Sequence, residues 1–150
     1  IRDRDKREES KDVSEKSIKG MHVLLAEDNE LNMEIAEFLL QNEGAEVTKA
    51  WNGQEAVEIF QKSRSDEFDV ILMDIMMPVM NGYEAAKMIR ALDRDDAKTV
   101  PIIAMTANAF TEDRLKSKES GMNEHIAKPI DAKLLVKVIS EFVENKEEDS

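Results

Sequence analysis

The apolar positions of this chain change their period repeatedly between residues 21 and 143. The apolar run at residues 22–26 predicts a short buried strand, and apolar side chains then recur at helical spacing until Gly44 supplies a C-terminal cap. The helical positions expected to face the sheet are Ile35, Ala36, Leu39 and Leu40. The same alternation predicts strands at residues 45–49, 69–73, 100–105 and 124–127, and helices at residues 54–62, 83–92, 111–120 and 131–143.

This order of elements predicts the fold class. Apolar strands that are each followed by a helix indicate a parallel sheet covered by helices on both faces. With right-handed crossovers, five such units form a doubly wound (βα)5 sheet of the α/β class, and the flavodoxin-like strand order 2-1-3-4-5 is the order we predict. A closed barrel would need eight units.

Charged segments flank the predicted domain at residues 21–143. Residues 1–20 carry seven basic and six acidic side chains but few large apolar ones, which predicts a charged linker or a frayed helix, with a coiled-coil end as the alternative. Residues 144–150 are expected to form an acidic tail. Because the chain begins with Ile and not Met, we expect a piece of a longer polypeptide.

The composition argues against several classes of function. The chain of 150 residues has no Cys and two His, which leaves little basis for disulfides, thiol catalysis or zinc binding. No apolar run approaches the roughly 20 residues of a membrane span, so we expect a cytoplasmic domain without membrane contact. The 33 acidic against 21 basic residues give a formal net charge of −12, which opposes direct nucleic-acid binding.

Five polar residues follow or end the predicted strands. Glu27 and Asp28 follow the first strand, Asp74 the third, Thr106 the fourth and Lys128 the fifth. In the predicted order these strands are neighbours, so the five residues should converge at the edge where open α/β sheets bind ligands. Crowded carboxylates repel one another unless a cation neutralises them, and oxygen ligands favour Mg²⁺. We therefore predict a Mg²⁺ site.

The same residue types suit phosphoryl transfer. A carboxylate can attack phosphorus and become an acyl phosphate, while Lys and Thr side chains can bind the phosphoryl oxygens. Each residue also has an ordinary alternative: Asp28 could cap the next helix, Asp74 could serve a turn, Thr106 could simply end a strand and Lys128 could be a solvated charge. Their joint placement favours the phosphoryl-transfer site.

At these residues the chain resembles the receiver domain of two-component response regulators, and in particular the kind found in hybrid sensor histidine kinases. The matching stretches are VLLAEDNELN (23–32), VILMDIMMPVMNGYE (70–84), PIIAMTANA (101–109) and HIAKPI (125–130). They are spread over essentially the whole predicted domain, and together they are highly specific.

The resemblance implies roles for the strand-end residues. Asp74 would be the phosphoacceptor, which takes a phosphoryl group from phosphohistidine on a histidine kinase or a histidine phosphotransfer domain. Mg²⁺ would be held by Glu27, Asp28, Asp74 and the backbone carbonyl of Met76. Lys128 would pair with the phosphoryl group and precede a cis proline.

The resemblance also implies a switch. Thr106 would be the switch hydroxyl that moves towards the phosphoryl group, and His125 falls at the switch aromatic position, which is usually Tyr or Phe. Whether His125 rotates inward as a Tyr does is left open. The output is expected on the face formed by the helix at 111–120, the strand at 124–127 and the last helix.

The first helix indicates where a partner would dock. Leu31, Ile35 and Phe38 form a second apolar stripe along its flank, although a core position is favoured for Phe38. We expect Leu31 and Ile35, with Met77 and Ile130 at the rim, to contact a helix-bundle phosphodonor.

Methionines are frequent in residues 73–80 and could adapt to such a partner, although Met73 is expected in the core. Met76 and Asn108 occupy positions that tune self-dephosphorylation in the family. Because the Met76 side chain cannot orient an attacking water, we expect slow self-dephosphorylation and a comparatively long-lived aspartyl phosphate.

Other functions remain as alternatives. The domain could be a stand-alone regulator, although the Ile start and the charged leader favour a domain of a hybrid kinase whose parent could be membrane-anchored. An interaction domain of the same fold without phosphorylation is less favoured, because the acidic residues are retained. An aspartyl-phosphate phosphatase is also less favoured, because such enzymes usually have a second Asp where this chain has Met76. Neither glycine-rich nucleotide-binding motif occurs.

Overall fold

The computed structural model of the protein describes residues 17–107 and 114–149. The strands are β1 (His22–Ala26), β2 (Glu46–Ala50), β3 (Val70–Asp74), β4 (Ile102–Thr106) and β5 (Glu124–Ala127). The helices in the described residues are α1 (Glu30–Asn42), α2 (Gly53–Lys62), α3 (Gly82–Arg90), α4 (Asp95–Thr99), α5 (Arg114–Ser120) and α6 (Ala132–Asp149). Most of the predicted linker (residues 1–16), Asn108 and the predicted start of the helix at 111–120 lie outside these residues.

The sheet confirms the predicted topology. All five strands are parallel, in the order β2-β1-β3-β4-β5. The chain switches winding direction between β1 and β3, which is where open sheets of this kind bind ligands. Ala26 lies opposite both Ala50 and Met73, and Asp74 lies opposite Met105. The carboxyl ends of the strands are therefore level at one edge.

Alternate strand residues point to opposite faces of the sheet, and each face is buried beneath helices. One core cluster, which includes side chains of α2, α3 and α4, contains Leu24, Ile71, Ile102, Ala104, Phe60 and Ile89. The other cluster, which includes side chains of α1 and α6, contains Val23, Leu25, Leu72, Met33, Leu40 and Leu135. All residues of the central strands β3 and β4 are buried, which explains their continuous apolar runs.

Helix α1 has a narrower buried face than predicted. Its fully buried side chains are Met33, Ala36 and Leu40. These residues, three and four positions apart, already fill the contact with the sheet. Ile35 is 46% exposed, so its predicted core position is wrong. The core position favoured for Phe38 is also wrong, because its side chain is 65% exposed on the flank.

Helix α4 was not predicted, because its five residues carry no apolar periodicity. It is held by Arg94, whose guanidinium donates two hydrogen bonds of 2.7 Å to the carboxylate of Asp96. Arg94 also donates to the carbonyl oxygens of Phe60, Ser63 and Arg64 at the end of α2. The hydrogen bond from Arg94 lowers the pKa of the buried Asp96 carboxyl. Arg94, which is itself paired with Asp96, thus joins the start of α4 to the end of α2 by hydrogen bonds.

The packed unit begins earlier than residue 21. Ile18 is fully buried in the core cluster beneath α1 and α6, and the Gly20 N–H donates to the carbonyl of Gly44 at 2.8 Å. Gly44 has φ +91°, as its predicted role in ending α1 requires. Helix α6 continues to Asp149, beyond the predicted end at 143. None of the helices in the described ranges is long and apolar enough to cross a membrane.

Candidate functional site

The first acidic pair follows β1. The Glu27 N–H donates to the Ala50 carbonyl, which continues the sheet by one residue and buries Glu27, while Asp28 is exposed. Asn29 is the N-cap of α1, because its side chain accepts a hydrogen bond from the Asn32 N–H at 2.9 Å. The alternative role of Asp28 as the helix cap is therefore wrong, and its carboxylate is available to the site.

Asp74 ends β3 and is 5% exposed. Its Oδ1 accepts a hydrogen bond from the Met76 N–H at 3.3 Å, and its Oδ2 accepts one from Lys128 Nζ at 3.0 Å. Gly82 at the start of α3 packs so closely that a Cβ there would lie 2.5 Å from the Asp74 carbonyl oxygen. A glycine is needed at this point, because any side chain would push α3 away from the end of β3.

Lys128 joins two carboxylates. Its Nζ lies 2.8 Å from Glu27 Oε1 and 3.0 Å from Asp74 Oδ2. The Lys128 N–H donates to the Thr106 carbonyl at 2.8 Å, which fixes the lysine beside β4. The Lys128–Pro129 peptide bond is cis, as the resemblance implied. The lysine is thus held over Asp74 by its backbone as well as by its charge.

Burial and charge change the pKa values of this pair. Burial raises the pKa of Asp74 from 3.8 to about 6, while the hydrogen bond from Lys128 opposes this rise and the negative Glu27 adds to it. Burial alone would lower the pKa of Lys128, but its hydrogen bonds to Glu27 and Asp74 raise it overall. The lysine therefore stays charged while the ionised form of Asp74 is disfavoured.

The donor set fits a hard divalent cation. Carboxylate oxygens of Glu27, Asp28 and Asp74 lie within 4.8 Å of one another. Three carboxylates and a single ammonium group leave an excess of two negative charges, which one Mg²⁺ would balance. The Met76 N–H bond to Asp74 fixes the loop that would present the Met76 carbonyl as a further ligand. Oxygen-only donors favour Mg²⁺ over softer metals.

The two predicted switch residues lie on neighbouring strands. Thr106 is 3% exposed at the end of β4, and His125 is half-buried on β5. The Nε2 of His125 is 2.7 Å from the Oγ of Ser117 on α5. Ser117 was not among the predicted site residues, since only the packing of α5 against β5 brings it to His125.

The predicted docking residues do not all share one surface. Leu31 and Ile35 are exposed on α1, at 64% and 46%. A groove beside the acidic residues is lined by Glu27, Asn32, Ile35, Lys128, Pro129 and Ile130. Met77 is partly buried and packs on the opposite face of the sheet, against the core cluster of α2 and α3. Ile35 and Ile130 therefore share the groove, whereas Met77 does not line it.

Comparison with known proteins gives consistent matches. A model of the response regulator receiver domain family matches residues 23–140. The hybrid signal transduction histidine kinase I of Dictyostelium discoideum is 40% identical over 120 residues, which are 79% of this chain and 7% of that protein. The chain thus spans less than a tenth of this relative's length.

Two solved structures share the fold at similar identity. One is the receiver domain of the sensor histidine kinase PA1611 from Pseudomonas aeruginosa PAO1, with a magnesium ion coordinated in its active-site cleft. It is 38% identical with a TM-score of 0.75, and the match covers 83% of this chain and 98% of that chain. The other is a complex between the Saccharomyces cerevisiae histidine phosphotransfer protein Ypd1 and the receiver domain of the response regulator Ssk1. The matched chain of this complex is 32% identical with a TM-score of 0.73, and the match covers 85% of this chain and 92% of that chain.

Proposed function

The chain belongs to the response regulator receiver domain family, and on that premise we propose that it accepts a phosphoryl group from phosphohistidine onto Asp74, with Mg²⁺ bound, and changes conformation to signal. The observation that carries this proposal is the Lys128 ammonium held between Glu27 and Asp74 beside exposed Asp28. A charged lysine and a divalent cation on two sides of one carboxylate are what a transferring phosphoryl group requires.

The reaction at Asp74 is an in-line displacement. A carboxylate oxygen of Asp74 attacks phosphorus, the P–N bond to the donor imidazole breaks as the P–O bond forms, and the imidazole nitrogen keeps the electron pair. Lys128 Nζ, 3.0 Å from Oδ2, stays within reach of the oxygens of the incoming group. Bound Mg²⁺, held by Glu27, Asp28, Asp74 and the Met76 carbonyl, would supply positive charge to the phosphoryl oxygens.

Thr106 completes the phosphoryl environment. It follows Met105, the residue opposite Asp74 in the sheet, so its hydroxyl belongs to the same edge. Drawing this buried hydroxyl towards the phosphoryl oxygens couples the modification to β4, and through β4 to His125 on β5. The surface of α5, β5 and α6 is the output surface under this proposal.

The partner is a phosphohistidine-bearing helix bundle. The exposed side chains of Leu31 and Ile35, with Ile130 in the neighbouring groove, give an apolar surface next to the acidic residues. The Ypd1–Ssk1 complex provides a precedent in which a receiver domain binds a histidine phosphotransfer protein. We assign the parent chain to the hybrid histidine kinases, because the relative from Dictyostelium is a hybrid histidine kinase. The cytoplasmic location of this domain stays a prediction.

Met76 argues against an independent phosphatase. Phosphatases with aspartyl-phosphate chemistry usually have a second Asp two residues after the nucleophile as acid and base, and this chain has Met76 in that place, with its side chain 73% exposed. Incubating the chain with Mg²⁺ and acetyl phosphate separates the two functions. A receiver gains the mass of one phosphoryl group and keeps it for many minutes, whereas a phosphatase releases phosphate steadily.

The same experiment tests the site. Asp74→Asn should abolish the mass gain, and omission of Mg²⁺ should do the same in the unchanged protein. Asp69→Asn is the matched control, because this carboxylate accepts the His22 N–H at the opposite edge of the sheet. Phosphorylation that persists in Asp74→Asn would contradict the proposed acceptor.

A further inference from the structure

A side-chain hydrogen bond ties α5 to β5 beside the proposed switch. Ser117 Oγ and His125 Nε2 are 2.7 Å apart, and Ser117 is 2% exposed. A hydroxyl can donate or accept, so it can satisfy this nitrogen in either imidazole tautomer. The bond holds the His125 side chain against α5.

His125 and Thr106 occupy the same face of the sheet. His125 lies opposite Ala104, which packs in the core cluster of α2, α3 and α4, and Thr106 follows Ala104 by two residues. Since alternate residues of a strand point to one face, Thr106 shares this face with His125. The movement of Thr106 towards Asp74 that the proposed function includes would therefore vacate volume on the face that carries the histidine.

We propose, resting on the phosphoacceptor function above, that the Ser117–His125 hydrogen bond is a latch that favours the unphosphorylated conformation and that Ser117 is a positioning residue of the switch. Phosphorylation draws Thr106 towards Asp74, and His125 follows into the space once its bond to Ser117 breaks. The middle of α5 then loses this hydrogen bond to β5.

The carboxyl end of α5 keeps a separate anchor. Arg90 of α3 donates from Nε and Nη2 to the Gly121 carbonyl, at 3.0 and 2.8 Å. A third donor, Nη1, bonds to the Ala97 carbonyl at 3.0 Å, which ties this arginine to α4 as well. Release of the latch therefore lets α5 turn about its anchored end, and the output surface of α5, β5 and α6 changes shape.

The effect of the latch on the equilibrium between the two conformations can be measured. A neutral side-chain hydrogen bond biases a two-state equilibrium by roughly 3- to 10-fold. Binding and conformation are reciprocally linked, so removal of the bond should strengthen binding of any ligand that favours the activated state by the same factor. Beryllofluoride, which forms a tetrahedral adduct with a carboxylate oxygen, serves as the phosphoryl mimic.

The test is a titration of the Mg²⁺-bound protein with beryllofluoride. Binding is measured by the fluorescence of Trp51, the single Trp of the chain. This residue comes directly after β2, at the same edge of the sheet as Asp74. Ser117→Ala should bind roughly 3- to 10-fold more tightly than the unchanged protein. Ser120→Ala is the matched control, because Ser120 is equally buried on α5 and its Oγ donates to the Ser117 carbonyl at 2.8 Å. It should bind as the unchanged protein does.

A second variant allows the proposal to be tested even if Ser117→Ala does not fold. His125→Phe removes the same bond and should also bind more tightly, and the double variant should gain nothing beyond the larger single effect. Amide NMR spectra should show α5 and β5 of both variants displaced towards their beryllofluoride-bound positions before any mimic is added.

The two proposals fail in different ways. Unchanged affinity in both Ser117→Ala and His125→Phe overturns the latch, and so does an equal gain in Ser120→Ala. If the unchanged protein itself binds no beryllofluoride, the phosphoacceptor function is overturned instead.

Discussion

Replacing Asp74 with Asn should stabilise the metal-free protein. Burial raises the pKa of this carboxyl from 3.8 to about 6, with Lys128 opposing the rise and Glu27 adding to it. One pKa unit corresponds to about 1.36 kcal/mol, so ionised Asp74 costs the folded state at most about 3 kcal/mol. Because water reaches the site beside exposed Asp28, screening reduces the expected gain to about 1–2 kcal/mol.

The direction of the pKa change fixes the pH dependence. Well below pH 3.8, Asp74 is protonated in both the folded and the unfolded state, and the cost is absent. Between pH 3.8 and about 6 the unfolded chain releases this proton before the folded protein does, so the stability that Asp74 contributes falls as the pH rises. The gain in Asp74→Asn should therefore be small near pH 4 and complete above about pH 7.

Urea unfolding in EDTA, followed by Trp51 fluorescence, measures this difference. Asp69→Asn is the control at the opposite edge of the sheet and should show no such gain. Mg²⁺ should reduce this difference, because at about 100 times its dissociation constant it stabilises the unchanged protein by about 2.7 kcal/mol and Asp74→Asn by less. The reasoning is refuted if Asp74→Asn is no more stable at pH 7, or if its gain is the same at pH 4.

Three further changes test other parts of the structure. Met76→Asn should shorten the lifetime of the phosphorylated protein, which is measured by intact mass after the donor is removed. The free energy of unfolding should change little, because the Met76 side chain is 73% exposed. An unchanged lifetime would exclude a role for this side chain. Arg94→Met should lower the free energy of unfolding by about 3 kcal/mol, because the buried Asp96 carboxylate keeps its hydrogen bond from the Asp66 N–H but loses its cationic partner, and adding Asp96→Leu should recover part of the loss in urea unfolding. Ile35→Ser should slow transfer from a histidine phosphotransfer protein but not from acetyl phosphate, whereas Leu115→Ser, 63% exposed on α5, should slow neither; equal effects on both donors would place the defect outside docking.

The meeting of the strand-end side chains at one edge of the sheet could be predicted from the sequence, because it depends on local signals. Apolar period and strand ends fix where Glu27, Asp28, Asp74 and Lys128 leave the sheet, and the parallel topology brings those ends to one edge. In the structure, carboxylate oxygens of Glu27, Asp28 and Asp74 lie within 4.8 Å of one another, and Lys128 Nζ lies 2.8 Å from Glu27 and 3.0 Å from Asp74.

The features that could not be predicted depend on tertiary contacts. The sequence leaves undecided which side of α1 meets the sheet, so Phe38 was expected inside although its ring is exposed. Helix α4 is held by hydrogen bonds from Arg94 to carbonyl oxygens at the end of α2, contacts that no apolar period reveals. Ser117 reaches His125 only through the packing of α5 beside β5. The packing direction of a helix and the hydrogen bonds between separate elements are properties of the assembled domain.

The most direct test of the proposed function locates the phosphoryl group after transfer from a phosphohistidine protein. Reducing the acyl phosphate with borohydride converts the modified aspartate to homoserine, which peptide mass spectrometry finds by position. Homoserine at position 74, formed in the presence of Mg²⁺, is the predicted result. Homoserine at position 28, or none anywhere after the donor has lost its phosphoryl group, would contradict Asp74 as the acceptor.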